Sequence, residues 1–435
     1  MPDKNGNQNA NMTLKNRVAV GWVGCLQTLL TANCLAAAAQ TAAPVAAVTT
    51  KSWKPSVSIS VREAYDSNVY LQETTDQANH ESLVTGITPS VGLTWKASDG
   101  FNLTASYAPE VSFYNAESSE DNVAHKGVAN FSGKFDKVKY EFNNALTFVN
   151  GNDLSPTYTG VGGSAILGGV PLLERRDQYL VRQSLKINVP LGKWFVRPLL
   201  TTYFHDFQTE HRTTAGYQNY VDRNDIGGGL DLGRSVTDKL AVFAGYRYGA
   251  QDQAASPVSA FQYDNTYHRP VVGVEGTVNS WLKLSLQGGP DFRDFDSTVP
   301  TTFDNDKVRL YLDGTATLTL SKDDSVNFIA KRFVLPGYGG GSFFEATTYD
   351  VSWKHKFNDK CTAGLSGRAH NWEFAKPVVR DEWWYGVGVM AAYTLNPHWN
   401  IDAAYDLAVV ESDVPATPGR EATRHLVSVS ARYSF

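Results

Sequence analysis

The stretch HLVSVSARYSF, residues 425–435, alternates strictly in polarity. Every second position is apolar or aromatic, and this set consists of Val427, Val429, Ala431, Tyr433 and Phe435. Successive side chains of a β-strand point to opposite faces, so the stretch predicts a strand with one apolar face and one polar face. A soluble β-sandwich could contain such a strand, and so could a membrane barrel. The remainder of the chain distinguishes the two.

The composition is typical of a β-protein. The chain has 435 residues with 36 Gly, 21 Tyr, 21 Phe and 10 Trp, but only 3 Met. Methionine, the flexible filler of packed cores, is therefore scarce, while aromatic and turn-forming residues are abundant. Lys and Arg total 39 against 44 Asp and Glu, and the charges are scattered without a basic block. This distribution argues against nucleic acid as a partner.

The N-terminal region has the layout of a secretory signal. Lys15 and Arg17 precede the apolar segment VAVGWVGCLQTLLTANCLAAAAQ, which ends in small residues. Polar residues at 27, 28 and 33 interrupt this segment, which disfavours the alternative of a membrane anchor. We therefore expect residues 1–39 to be a signal peptide with a polar leader, 40–55 a periplasmic segment and 56–435 the folded domain. Cys361 is the one cysteine expected after cleavage, so no intramolecular disulfide is expected.

Two-residue alternation recurs throughout residues 56–435, and convincing helical periodicity is missing from the sequence. Short turns rich in Gly, Asn and Asp alternate with long polar loops, as at residues 67–81, 151–176 and 208–221. We count eighteen strands, with sixteen or twenty as alternatives. They are predicted to begin near Ser56, Ser82, Phe101, Val123, Val138, Asp177, Trp194, Arg223, Lys239, Tyr263, Trp281, Asp306, Ser325, Ala346, Cys361, Asp381, His398 and Glu421.

Strands that cross a bilayer must close into a barrel, because lipid offers no partner to an unpaired backbone group. The sequence therefore predicts an all-β, transmembrane, antiparallel up-and-down β-barrel in the outer membrane, with both termini periplasmic. Aromatic residues at strand ends predict two girdles. The girdle at the short turns comprises Trp95, Phe101, Phe135, Tyr140, Trp194, Trp281, Phe357 and Trp399. The girdle toward the long loops comprises Tyr65, Tyr70, Phe148, Phe204, Tyr248, Tyr263, Trp372, Trp383 and Tyr385.

The final residues resemble the terminal signature of Gram-negative outer-membrane barrels, a final Phe with an aromatic residue two positions earlier. Tyr433 and Phe435 match this pattern. The resemblance implies recognition of the C-terminal strand by the barrel assembly machinery. Outer-membrane lipid and lipopolysaccharide are the other expected partners, and an oligomer is an open alternative.

No catalytic or metal-binding motif appears in the sequence. The nearest approach to a cluster is His205 and Asp206 followed by Glu210 and His211, and residues 291–307 carry several carboxylates without the spacing of a calcium loop. We therefore expect no enzyme, no cofactor and no metal site. The alternative, an enzyme that uses His205 or His211, would lose turnover when either is replaced by Ala.

Charged residues of the opposite parity to the apolar rows are expected to line the lumen. The predicted pore-lining residues are Glu110, Arg182, Arg197, Asp231, Arg247, Arg309, Asp313 and Arg368. The long loop 151–176 is Gly-rich yet contains aliphatic residues, and we expect it to fold inward and narrow the pore. Glu174, Arg175 and Arg176 would then lie at the constriction. A surface cap or an oligomer contact is the alternative for this loop.

Three stretches at the start of the domain carry a family resemblance. VSISVREAYDSNVYL, TPSVGLTW and LTASYAPEVSFY resemble the first three strands of a family of outer-membrane β-barrel porins often associated with exopolysaccharide gene clusters. The resemblance implies a barrel and makes glycan export a candidate context, and it supplies no catalytic residues.

The expected function is passive passage of small hydrophilic solutes, with saccharides as candidates because Tyr114, Tyr203, Tyr311 and Trp384 could stack on sugar rings. Exopolysaccharide export and a plugged structural barrel are the alternatives.

Overall fold

The computed structural model describes residues 52–71, 73, 79–98, 100–150, 177–208, 211, 219–257, 259–295, 298–305, 307–337, 343–375, 380–413 and 421–435. The predicted signal peptide at 1–39, the segment 40–51 and the loop 151–176 with Glu174, Arg175 and Arg176 lie outside the described residues. Within these ranges, no helix is both long enough and apolar enough to span a membrane.

The chain forms eighteen β-strands, as the sequence predicts. They are β1 Ser52–Asp66, β2 Ser82–Ser98, β3 Phe101–Tyr114, β4 Asn122–Phe135, β5 Val138–Asn150, β6 Gln178–Leu191, β7 Trp194–Phe207, β8 Arg223–Ser235, β9 Leu240–Gln253, β10 Asn265–Thr277, β11 Leu282–Phe295, β12 Arg309–Thr319, β13 Asp324–Pro336, β14 Phe343–Lys356, β15 Cys361–Phe374, β16 Arg380–Thr394, β17 Trp399–Ser412 and β18 Ala422–Ser434. One short 3₁₀ helix, Ser118–Glu120, follows β3.

Each strand pairs antiparallel with its neighbours in the chain, and β1 pairs with β18 to close the sheet. At this closure Arg424 Nε donates a hydrogen bond of 2.8 Å to Asp66 Oδ1. A closed sheet has no free edge, so the barrel satisfies the backbone requirement of a bilayer. The predicted antiparallel up-and-down barrel is confirmed.

Short turns lie at one end of the barrel and long connections at the other, as predicted. Most strands begin within two residues of the expected position, and three deviate more. Strand β1 begins at Ser52 rather than Ser56, because Trp53 pairs with Trp95 on β2. Strand β12 begins late, at Arg309 rather than Asp306, and β14 begins early, at Phe343 rather than Ala346. The last two flank an irregular part of the wall.

The register fixes which side chains face lipid. On β1, Val57, Ile59 and Val61 are exposed on the outer surface, whereas Arg62 and Asp66 have the opposite parity and face the lumen. Along the short-turn end, Trp53 stacks on Trp95 with ring centroids 4.7 Å apart. This alternation of apolar exterior and polar interior is the one required of a barrel in lipid.

Two predictions about the girdle near the long loops are wrong. Tyr263 and Trp372 are fully or almost fully buried inside the barrel. Trp372 has the parity of the interior residue Arg368 on the same strand, so its ring cannot reach lipid. Tyr263 precedes β10 and packs against Phe295, Phe303 and Phe343.

The wall departs from regularity between β12 and β13. Their pairing stops at Leu312 opposite Arg332, whereas β13 continues with β14 up to Pro336 opposite Phe343. We call residues 333–336 and 343–346 the inner hairpin, because they bend into the lumen. One face packs on Trp372, Phe374 and Trp384 of β15 and β16. Val334 and Phe343 pack on Tyr263.

Candidate functional site in the barrel lumen

The inner hairpin is held by donors from other walls of the barrel. Arg223 Nη1 on β8 donates to the Pro336 carbonyl at 2.9 Å, and Gln251 Nε2 on β9 donates to the Val334 carbonyl at 3.0 Å. Gln253 donates in the same way to the Gly337 carbonyl. Because β12 no longer pairs with this part of β13, these carbonyls would otherwise form a free strand edge. The side chains therefore replace a missing strand.

Ion pairs bridge the gap that the inner hairpin leaves in the wall. Glu345 on β14 lies 2.7 Å from Lys307 Nζ and 2.7 Å from Arg332 Nη2, and its Oε1 is 3.5 Å from Arg309 Nε. Glu345 is buried. The three cations join the start of β12 to β13 and β14 where backbone hydrogen bonds between β12 and β13 have ended.

A shared carboxylate organises the wall formed by β7 to β10. Asp231 has 0% exposure and lies 2.9 Å from Arg197 Nε and 2.5 Å from Arg247 Nη1. Arg197 also pairs with Glu275. Because burial removes water from these groups, the carboxylates compensate the two guanidinium charges.

A second network lies on β10 and β11. Asp291 pairs with Arg293 Nη2 at 2.9 Å and with Arg269 Nε at 3.1 Å. The Arg269 guanidinium lies 3.8 Å from the ring centroid of Tyr267 and 4.9 Å from that of Tyr311, which is cation–π geometry. The guanidinium is therefore fixed between two aromatic faces.

Glycines on the neighbouring strands allow Tyr267 to lie against the wall. A Cβ added at Gly249 would come within 2.3 Å of Tyr267 Cζ, and one at Gly227 within 2.2 Å of its hydroxyl oxygen. The hydroxyl donates a hydrogen bond of 2.9 Å to Asp225 Oδ1. Glycine at these positions thus makes room for the ring that supports Arg269.

A cavity of about 480 Å³ lies directly beneath the inner hairpin. Phe333 and Leu335 of the hairpin border it. One wall carries mainly uncharged polar groups, at Asn130, Asn143, Ser184 and Thr201, together with Tyr203 and the charged Arg182. The other wall carries Asp225, Tyr267, Arg269, Tyr311, Asp313 and Lys331. The volume lies in the range of small-molecule sites, and the lining offers many hydrogen-bonding groups.

The register places the described residues of the predicted pore lining on the interior face. Glu110 lies between Arg62 Nη2 at 2.9 Å and Lys126 Nζ at 2.8 Å. Arg182 and Asp313 line the cavity, and Asp313 is 3.6 Å from Lys331 Nζ. Arg368 lies opposite the interior residue Asp350. The part that these residues play in permeation remains a prediction.

Several interior residues escape the sequence reasoning. Arg223, Arg269 and Arg293 share the interior parity of Asp231, Glu275 and Asp291, so the alternation could have identified them. The contact between the inner hairpin and β8 has no local signal, because Arg223 and Pro336 are 113 residues apart. Trp384, expected to offer a stacking face, is only 1% exposed and is occupied by core packing.

The residues considered for catalysis do not form a dyad. His205 faces the lumen, where its Nε2 lies 2.7 Å from Gln178 Oε1 and its Nδ1 is 3.1 Å from the Tyr203 hydroxyl. Asp206, the next residue along β7, faces the opposite side of the wall. His211 Nε2 contacts the Tyr220 carbonyl at 3.1 Å, and Glu210 lies outside the described residues. In the described ranges, no group of three or more His, Cys, Asp or Glu could hold a metal.

Tyr433 and Phe435 lie at the short-turn end of the barrel. Their ring centroids are 4.9 Å apart, and Tyr433 also packs on Trp399 at 5.0 Å. This is an aromatic row at a predicted membrane boundary. Its recognition by the assembly machinery remains a prediction.

Neither a family model nor a curated protein matches the chain. Among solved structures it is similar to OpdQ of Pseudomonas aeruginosa, with 10% identity, a TM-score of 0.42, and coverage of 88% of this chain and 97% of that one. It is also similar to OccAB4 of Acinetobacter baumannii, with 12% identity, a TM-score of 0.43, and coverage of 88% and 98%. The siderophore receptor PirA of P. aeruginosa gives 7% identity, a TM-score of 0.38, and coverage of 87% and 80%. At these values the similarities assign neither a family nor a solute.

The chain's own geometry is more informative. Eighteen antiparallel strands close on themselves, apolar rows cover the exterior, and ion pairs and polar groups fill the interior. Lipid outside and water inside are the surroundings that this distribution requires. The chain is an outer-membrane β-barrel.

Proposed function

We propose that the protein is an outer-membrane channel for small hydrophilic solutes, and that the inner hairpin forms its constriction. The observation that carries this proposal is the polar cavity of about 480 Å³ inside the closed barrel, directly beneath that hairpin. A barrel of this strand number is wide enough to hold water. The inward fold expected of loop 151–176 lies outside the described residues and stays a prediction beside this proposal.

The charge pattern favours polar solutes of low net charge. The interior carboxylates Asp231, Asp291 and Glu110 each contact two cationic groups, so charges of both signs line the lumen together. A lining of one sign would select ions strongly, whereas a mixed lining orders water and admits neutral or zwitterionic solutes. Saccharides belong to this class of solute. The family resemblance suggests another candidate, in which the lumen passes an exported glycan chain rather than single sugars.

Planar-bilayer recording tests the proposal. The refolded wild type is compared with a variant in which residues 334–344 are replaced by Asn-Gly, and with a second variant that lacks residues 152–175. We expect small, weakly ion-selective currents from the wild type and a larger conductance after the hairpin is shortened. An increase only in the second variant would return the constriction to loop 151–176.

Current that appears only after the hairpin is shortened would identify a plugged barrel instead of a channel. The packing of the hairpin on both faces is the observation that favours this second candidate. Absence of current in all three proteins, each shown to be folded by its heat-modifiable mobility in gels, would overturn the channel proposal. Liposome swelling with neutral saccharides then measures whether the open lumen admits sugars.

A further inference from the structure

A polar row lies on the lipid-facing surface near the middle of β5, β6 and β7. It consists of Asn144, Gln183 and Thr202, which are direct partners in the strand register. Gln183 Nε2 donates to Asn144 Oδ1 at 3.0 Å, and Thr202 Oγ1 donates to Gln183 Oε1 at 3.2 Å. We call these three residues the amide row.

The parity of the strands shows that the amide row faces lipid. Leu146 and Leu200 share its parity on β5 and β7 and are exposed on the outer surface. Asn143 and Thr201 have the opposite parity and face the lumen. The luminal cavity borders residues of both parities here, including the amide row, so the strand register and not the cavity lining assigns the faces. Most of the other middle positions of this parity in the described strands carry glycine, alanine, proline, aliphatic or aromatic residues, for example Val272 and Val389. Arg332 on β13 also has this parity, but its charge is paired with Glu345. The amide row is therefore an exception in its own environment.

Lipid cannot supply hydrogen-bond partners for the amide groups of the row. An amide group has two N–H donors, so Asn144 and Gln183 bring four, and hydrogen bonds among the described residues use one of them. Polar groups left unpaired in hydrocarbon are costly, and neither water nor lipid headgroups reach the middle of a bilayer. The unused N–H groups would therefore be satisfied by a polar protein surface that lies at the same depth in the bilayer.

We propose that the amide row is the centre of an interface with a second copy of this chain. Amides both donate and accept, so the row is complementary to itself, as a twofold interface requires. A second copy in the same bilayer carries its row at the same depth, and a twofold axis along the membrane normal brings Gln183 opposite Gln183. The small neighbours Gly127, Ala129 and Gly228 face the same way and permit close approach of the two walls.

Cysteine cross-linking in native membranes tests the interface, in a background with Cys25, Cys34 and Cys361 replaced by Ser. Gln183→Cys is expected to give a disulfide-linked dimer upon mild oxidation. Val389→Cys is the matched control, because Val389 is 47% exposed to lipid on β16 at the other side of the barrel. No dimer at residue 183, or equal dimer at both positions, would overturn the proposal.

A second measurement does not depend on cross-linking. The triple variant Asn144→Leu, Gln183→Leu, Thr202→Val removes the donors and acceptors but keeps the lipid-facing shape. We expect its dimer dissociation constant in detergent to rise at least tenfold by native mass spectrometry, whereas Val387→Leu with Val389→Leu leaves it unchanged. Heat-modifiable mobility verifies the fold of each variant. A wild type that is monomeric at every concentration, or a triple variant as dimeric as the wild type, would contradict the inference. Conductance per barrel stays the same in either case, so the result is separate from the channel proposal.

Discussion

The Arg223 guanidinium on β8 donates a hydrogen bond of 2.9 Å to the Pro336 carbonyl on β13, although these strands are not neighbours in the barrel. The contact crosses the lumen and fixes the end of a hairpin that has left the wall. In the proposed channel, this bridge between distant strands holds the constriction in place.

Loss of this bridge is expected to widen the pore. Arg223→Met combined with Gln251→Met removes the Arg223 donor to the Pro336 carbonyl and the nearer of two donors to the Val334 carbonyl, to which Arg293 Nη2 also donates at 3.5 Å. Leaving a buried acceptor without a partner costs about 1–3 kcal/mol, so the hairpin should loosen and single-channel conductance should rise. The control is Lys283→Met, at the short-turn end of β11 and far from the hairpin. Identical conductance in the double variant and the wild type would show that the donors do not hold the constriction.

Replacement of Asp231 is expected to destabilise the barrel strongly. Asp231→Asn leaves Arg197 and Arg247 without the buried carboxylate that both contact. Breaking a buried ion pair in this way costs about 3–5 kcal/mol. Urea unfolding in lipid vesicles, followed by tryptophan fluorescence, measures the change. Asp313→Asn serves for comparison, since the Asp313 side chain is 40% exposed and its pair with Lys331 spans 3.6 Å. Asp313→Asn should lower the free energy of unfolding by less than about 1 kcal/mol. Equal losses of stability in the two variants would contradict the central role of Asp231 in this wall.

The connection between β7 and β8 is expected to depend on pH. The Asp222 carboxylate accepts a hydrogen bond of 2.8 Å from the Phe207 amide, and burial, with the nearby Asp206 carboxylate, raises the pKa of Asp222 to about 6. The fold thus favours the protonated form, so this stabilisation is complete below about pH 4 and is lost as the pH rises through about 6. Amide hydrogen exchange at residues 207–208 and 220–223, corrected for intrinsic rates, should be slower at pH 5 than at pH 7.5. Asp222→Asn should abolish the difference, and a persistent difference would point to another group.

An introduced charge is expected to destabilise the barrel much more on the lipid face of the wall than on the luminal face. Val272 is 68% exposed on the lipid face of β10, and Thr201 is exposed to the luminal cavity. Val272→Arg is expected to cost about 2–4 kcal/mol, because lipid cannot solvate the guanidinium. Thr201→Arg places the same group in water and should cost far less. Unfolding titrations in lipid vesicles compare the stability of the two variants. A larger loss for Thr201→Arg than for Val272→Arg would show that the lipid and luminal faces have been assigned the wrong way round.

Alternation in the sequence was sufficient to place residues such as Asp231 and Arg247 on the interior, because parity is a property of each strand alone. The rule that places aromatic residues near strand ends in the girdle fails at Trp372, where alternation alone gives the correct interior position. The inner hairpin was missed for a different reason. Residues 333–336 are apolar at consecutive positions, a sign of burial on both faces, but the partner that buries them lies on distant strands.

The closure of β1 on β18 also constrains biogenesis. Asp66 and Arg424 meet although 358 residues separate them, so the contact that seals the cylinder joins segments synthesised at opposite times. An incomplete sheet in the bilayer would have two strand edges whose backbone N–H and C=O groups are unpaired, and lipid offers these groups no hydrogen-bond partners. Stepwise insertion during secretion is therefore unfavourable. We therefore expect the barrel to insert only after β18 has been secreted.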